Sequence, residues 1–164
     1  MKKKKKQNII ILVIVVVIIT GIVSYNYSAE QTRQKGFIFG NELEKIQTDV
    51  KELQNQFYSE KVQWEEGSIT KDELFQYYEK HVEKFEEIIS QYDKLVPPKT
   101  FQSAVDLLKL SSQTQLDSDK QYIEWMRTGD ESFKVRSDSQ YQQALEYEMT
   151  GLVEYYSAKT GLKP

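Results

Sequence analysis

The chain has 164 residues, of which 39% are apolar and 29% charged, a size that suits one ordinary domain rather than two packed domains plus a membrane span. It contains no cysteine, which excludes a lipidated cysteine anchor, disulfides, zinc–thiolate sites and thiol catalysis together. Five of its 22 basic residues are Lys2 to Lys6, and the other 17 face 25 acidic residues, a balance of −8 that repels phosphate backbones and argues against DNA or RNA as a partner.

Residues 1–8 form a short basic segment, and from Ile9 to Val23 the chain is apolar except for Thr20 and Gly21. A charged flank before a hydrophobic run is the pattern of a secretory signal or of an uncleaved anchor. Ending a signal at Ala29 would place Tyr27 two positions before the cut, and ending it at Ser24 would place Ile22 there, so neither site offers the small residues a signal peptidase requires. An anchor over residues 9–24 is therefore favoured, with a cleaved signal and a secreted product as the rival. The fifteen residues of the run cover roughly 23 Å, so Gln7, Asn8, Ser24, Tyr25 and Tyr27 are needed to complete the crossing. The lysines place the N-terminus in the cytoplasm and the remainder outside it, in the manner of a bacterial envelope protein.

Residues 25–35 read as a juxtamembrane linker or the start of the first helix, and residues 36–164 as an extracytoplasmic bundle. From Phe39 the apolar residues Leu43, Ile46, Val50, Leu53 and Phe57 follow at alternating steps of four and three, one stripe along a helix that Gly67 closes. Thr70 with Glu73 forms a capping box for a second helix, whose stripe is Leu74, Tyr78, His81, Phe85, Ile88, Tyr92 and Leu95, ended by Pro97-Pro98. A third helix runs from about Lys99 to Thr128, with Phe101, Val105 and Leu108 at one end, Tyr122 and Met126 at the other, and a polar middle. Asp130 caps a fourth, whose stripe is Phe133, Tyr141, Leu145, Glu148, Leu152 and Tyr155 and whose end is Gly161. Long helices joined by short links must be antiparallel neighbours, so the expected fold is all-α: an N-terminal transmembrane helix followed by an up-down-up-down four-helix bundle.

Counting outward from the tight links sets His81 at the height of Thr114 and Gln115, Glu148 near Ser112, and Tyr141 near Asp119. His81, Ser112, Gln115, Asp119, Tyr141 and Glu148 thus form a candidate polar layer. Its ordinary role is to satisfy itself by hydrogen bonds and fix helix register. Its functional alternative is a small-ligand or sensing site, since an imidazole titrates near neutrality.

Catalytic options are narrow. The residue three before His81 is Tyr78, so no Glu-x-x-His pair exists for a di-iron centre. No G-x-S-x-G is present, and the acidic doublets Glu65-Glu66 and Glu86-Glu87 point away from each other on a helix. Neither a cofactor nor a metal is expected, nor enzymatic activity. Trp64, Tyr77, Trp125 and Tyr156 fall off or at the edge of the stripes and are candidate partner contacts. The expectation for function is a non-catalytic module that binds the membrane through its anchor and another envelope protein through its bundle.

Overall fold

The computed structural model describes residues 36 and 38–161, and the anchor and linker expectations for residues 1–35 lie outside them. The described residues contain helices and no strand. They are α1 (residues 38–65), α2 (Lys71–Tyr92), a 3-10 turn (Lys99–Phe101), α3 (Gln102–Thr128) and α4 (Glu131–Thr160). None of these helices is long and apolar enough to cross a membrane. Contacts gather the described residues from Phe39 onward into one unit.

The helix ends follow the punctuation of the sequence. Glu73 N–H donates to Thr70 Oγ1 at 3.2 Å and Thr70 N–H donates to Glu73 Oε2 at 2.8 Å, the reciprocal box that satisfies two otherwise free donors. Gly67, Gly129 and Gly161 have φ of 75°, 73° and 72°, the left-handed conformation that closes a helix without a Cβ penalty. Asp130 caps α4 by accepting from Ser132 N–H at 2.9 Å.

Each helix runs antiparallel to the one before it. Phe57 of α1 stacks on Tyr78 of α2 while Gln47 bonds Tyr92. His81 of α2 bonds Asp119 of α3 while Tyr92 bonds Ser112. Ser118 of α3 bonds Ser137 of α4 while Ser111 bonds Ala144.

Three apolar layers stack along the unit. Phe39, Leu43, Ile46, Tyr92, Val105 and Leu108 fill one end, with Leu95, Phe101, Leu152 and Tyr155 against them. Leu53, Phe85, Ile89 and Leu116 form the middle. Phe57, Leu74, Tyr78, Ile123 and Met126 fill the other end. Burying each of the large side chains contributes roughly 1.5–3 kcal/mol.

Three sequence expectations change. The second helix ends at Tyr92 rather than reaching Leu95, because the prolines at 97 and 98 disfavour helical geometry before them. On its buried face Ile89 takes the place expected of Ile88, which is half-buried. The largest change is in α4, where the stripe of Tyr141, Leu145, Glu148, Leu152 and Tyr155 is only half-buried and the fully buried residues are Ser137, Ala144 and Gly151.

Those three are seven residues apart: Ser137 and Ala144 meet Ser118 and Ser111 of α3, and Gly151 lies against Leu107 and Leu108. Small side chains at heptad spacing let the two backbones approach closely. Ser111 Oγ donates to Ala144 O and Ser118 Oγ to Ser137 O, both at 2.8 Å, so side-chain hydroxyls of one helix reach carbonyl oxygens of the other. A Cβ added at Gly151 would lie 3.0 Å from Leu108 Cγ and 3.2 Å from Leu107 Cβ. Overpacking this seam is therefore destabilising. Gly151→Leu should lower stability in urea by about 2–3 kcal/mol, whereas Thr150→Leu on the exposed neighbour should stay within about 0.5 kcal/mol. Equal effects of the two would show that the seam tolerates extra volume.

Candidate functional site

Polar layers separate the apolar ones. The deeper layer is built around Asp119, only 3% exposed, and His81, 1% exposed. His81 Nε2–H donates to Asp119 Oδ2 at 2.8 Å, Gln54 Nε2 donates to the same oxygen at 2.6 Å, and Gln115 Nε2 donates to Oδ1 at 3.2 Å. One carboxyl group thus gathers donors from α1, α2 and α3. Satisfying a buried carboxyl in this way removes most of the cost of taking it out of water.

The imidazole is packed on its remaining sides by aromatic rings, with Phe57 at 4.6 Å and Phe85 edge-on at 5.7 Å between centroids. Among the described residues His81 Nδ1 has no hydrogen-bond partner, and neither has the buried Gln54 Oε1.

The second polar layer is Gln47, Tyr92 and Ser112. Ser112 Oγ donates to Leu108 O at 3.1 Å, so Tyr92 O–H donates to Ser112 Oγ, also at 3.1 Å, and accepts from Gln47 Nε2. Burial pushes the Tyr92 hydroxyl up to about 12; the bond to Ser112 opposes this and the charge of Glu148 adds to it. Tyr58 is likewise raised, by burial first and then by Tyr141 beside it. Tyr78 is raised as well, by burial first and then by Tyr122, and its buried hydroxyl has no partner among the described residues.

Of the expected layer, His81, Gln115 and Asp119 are joined directly. Ser112 belongs to the Tyr92 layer instead. Glu148 and Tyr141 stand on α4 across a cleft of about 480 Å³, which Gln47, Gln54 and Tyr58 of α1 line opposite and Ser112 and Gln115 floor. Tyr141 also lines, with Asp119, Tyr58 and Tyr122, a smaller hollow of about 220 Å³ further along the same side.

The register differs from the count. His81 meets Asp119, a turn beyond Thr114, because residues 95–98 leave helical geometry and rise further per residue than a helix's 1.5 Å. Gln54, Gln47, Tyr92 and Tyr58 were not among the expected site residues. Their signal is in the sequence: Gln47 and Gln54 are seven apart and each follows a core residue, Ile46 and Leu53. Counting across the link at Gly67–Thr70 also puts His81 level with that part of α1.

Among the candidate partner contacts, Tyr156 is 57% exposed. Trp64, Tyr77 and Trp125 are half-buried against the apolar layer at the α1–α2 and α3–α4 turns. Trp125 Nε1–H donates to Glu131 Oε1 at 3.2 Å, and the Lys134 ammonium lies 5.6 Å from its ring centre. Among the described residues no group of three or more acidic, histidine or cysteine side chains is placed to hold a metal ion. Comparison of the chain with family models, with curated proteins and with solved structures gives no match.

Removing Asp119 strands three donors at once, whereas replacing the pair by apolar groups strands fewer. Asp119→Leu alone should cost about 3–5 kcal/mol in urea unfolding, and adding His81→Leu should cost less than the sum of the two single changes, a coupling of at least about 1 kcal/mol. Strict additivity would show that the two side chains do not act together.

Proposed function

We propose that the chain is an extracytoplasmic helical bundle tethered to the cell membrane by one N-terminal span, and that it is a non-catalytic module recognising another protein of the cell envelope. The lysines at positions 2–6 followed by the apolar run Ile9–Val23 support the tether and its orientation.

The observation that carries the interaction reading lies on α4. Its small-residue face is spent on α3, and on the opposite side Met149, Val153 and Tyr156 are 68%, 61% and 57% exposed. Single exposed apolar residues are ordinary, but these are spaced i, i+4 and i+7 and so form one continuous strip. That spacing is the one by which an amphipathic helix anchors in an apolar groove of a partner. A flexible methionine beside a tyrosine supplies large contact area with a polar tip.

Cross-linking in intact cells with the full chain should capture an envelope protein, and Met149→Glu together with Val153→Glu should abolish that capture while leaving the helix content unchanged. Undiminished capture by the double variant would remove α4 as the contact surface.

A further inference from the structure

Phe101 gathers three elements at one end of the unit. Its ring lies 5.4 Å from that of Phe39 in α1 and 5.3 Å from that of Tyr155 in α4, so the start of α1, the link from α2 to α3 and the last turns of α4 converge there. Leu95 and Phe101 pack against the apolar layer at this end. Between them in the chain Val96 is 82% exposed, the most exposed large apolar side chain among the described residues. Pro97 and Pro98 follow it, and their rings restrict the backbone, so the valine is held out stiffly rather than on a loose loop.

The charge at this end differs from that of the rest of the chain. Lys94, Lys99 and Lys159 are exposed and take part in no ion pair among the described residues. Residues 39–42, 93–101 and 155–161, which form this end, set those three lysines against only Glu42 and Asp93, and Asp93 is already paired with Lys109. The opposite end, residues 60–73 and 124–134, holds eight acidic and four basic side chains. An anionic surface therefore attracts the first end and repels the second. Lysines alone would suit any polyanion. A bare, stiffly held valine beside them suits a bilayer interface, where headgroup phosphates and apolar chains lie side by side and lysine stems can share the apolar side.

We infer that Val96, with Lys94, Lys99 and Lys159, docks this end of the unit onto an anionic lipid surface, the valine entering the interface and the ammonium groups meeting headgroup phosphates. The inference rests on the tether proposed above: fourteen residues, 24–37, connect the apolar run to Ile38, and it is at this end that α1 begins. A lysine near such a surface favours the docked state roughly fivefold, so the three together favour it by about a hundredfold. None of the four residues belongs to the α4 strip of Met149, Val153 and Tyr156.

The chain has no cysteine, so one introduced cysteine can carry a fluorophore. Thr100→Cys reports this end, and Ser68→Cys, between α1 and α2, reports the opposite one. The full chain is reconstituted in vesicles of phosphatidylcholine, alone or mixed with phosphatidylglycerol, with a nitroxide quencher on a fraction of the headgroups. In the mixed vesicles the label at position 100 should be quenched and that at position 68 should not, and added salt should relieve the quenching. Lys94→Glu with Lys99→Glu should lower the docked-to-free ratio at least about tenfold with an unchanged circular dichroism spectrum. Val96→Asp should lower it as well. Absence of quenching in the mixed vesicles, equal quenching at both positions, or quenching untouched by the lysine changes would overturn the inference. So would quenching that Val96→Asp leaves intact, which would reduce the lysines to a general anion contact. Flotation of the chain with phosphatidylcholine vesicles after an alkaline wash tests the tether separately: failure there removes the tether, while quenching at position 100 beside anionic lipid still decides the docking.

Discussion

Asp119 sits at a point where three helices must agree. Its two oxygens accept from Gln54 of α1, His81 of α2 and Gln115 of its own helix, and it is nearly inaccessible to water. Apolar layers tolerate sliding, because a leucine or phenylalanine displaced by a turn still meets other apolar groups. A buried carboxyl does not, since each lost donor leaves it uncompensated in a medium that solvates it poorly. The layers of Leu53, Phe85 and Leu116 on one side and Phe57, Tyr78 and Ile123 on the other supply the driving force, and Asp119 selects the register in which it is expressed.

The helices are not held alike. Between α3 and α4 the backbones themselves come close, with serine hydroxyls bonded to carbonyl oxygens across the seam and Gly151 making room for Leu107 and Leu108. At the middle of the unit α1 depends on side chains, through its stripe and through Gln47 and Gln54. The same asymmetry explains both surface features of α4: drawing it inward by small residues opens the space beside Glu148 and leaves Met149, Val153 and Tyr156 facing outward. Surface ion pairs such as Lys120–Glu86 at 2.8 Å add little to this division, because solvent screens them.

Much of this architecture was legible in the sequence, where local chemistry decides it. Thr70 with Glu73, the glycines at 67 and 129, Asp130 and the paired prolines each impose a backbone conformation that no distant contact needs to supply. That His81 lies against the polar middle of α3 was readable from helix periodicity and short links, but the count set it beside Thr114 and Gln115, and its bond is to Asp119. What escaped were features set by backbone rise and by side-chain size. The link at residues 95–98 leaves helical geometry, which a count in helical residues cannot register. The seam residues Ser137, Ala144 and Gly151 carry almost no hydropathy signal, so the larger Tyr141, Leu145 and Leu152 drew the stripe to the wrong face; the seven-residue spacing of small residues was the signal that would have corrected it. Trp64 and Trp125 lie at stripe edges because they cover one end of the core.

If Asp119 sets the register of α1 and α2 while α3 and α4 are joined independently of it, native-state hydrogen exchange of the Asp119→Asn variant separates the two. The account predicts that amides around Leu53 to Phe57 in α1 and around His81 in α2 lose protection first, while those flanking Ser111 and Ala144 keep most of theirs. Protection falling equally in all four helices, or not at all, would contradict it.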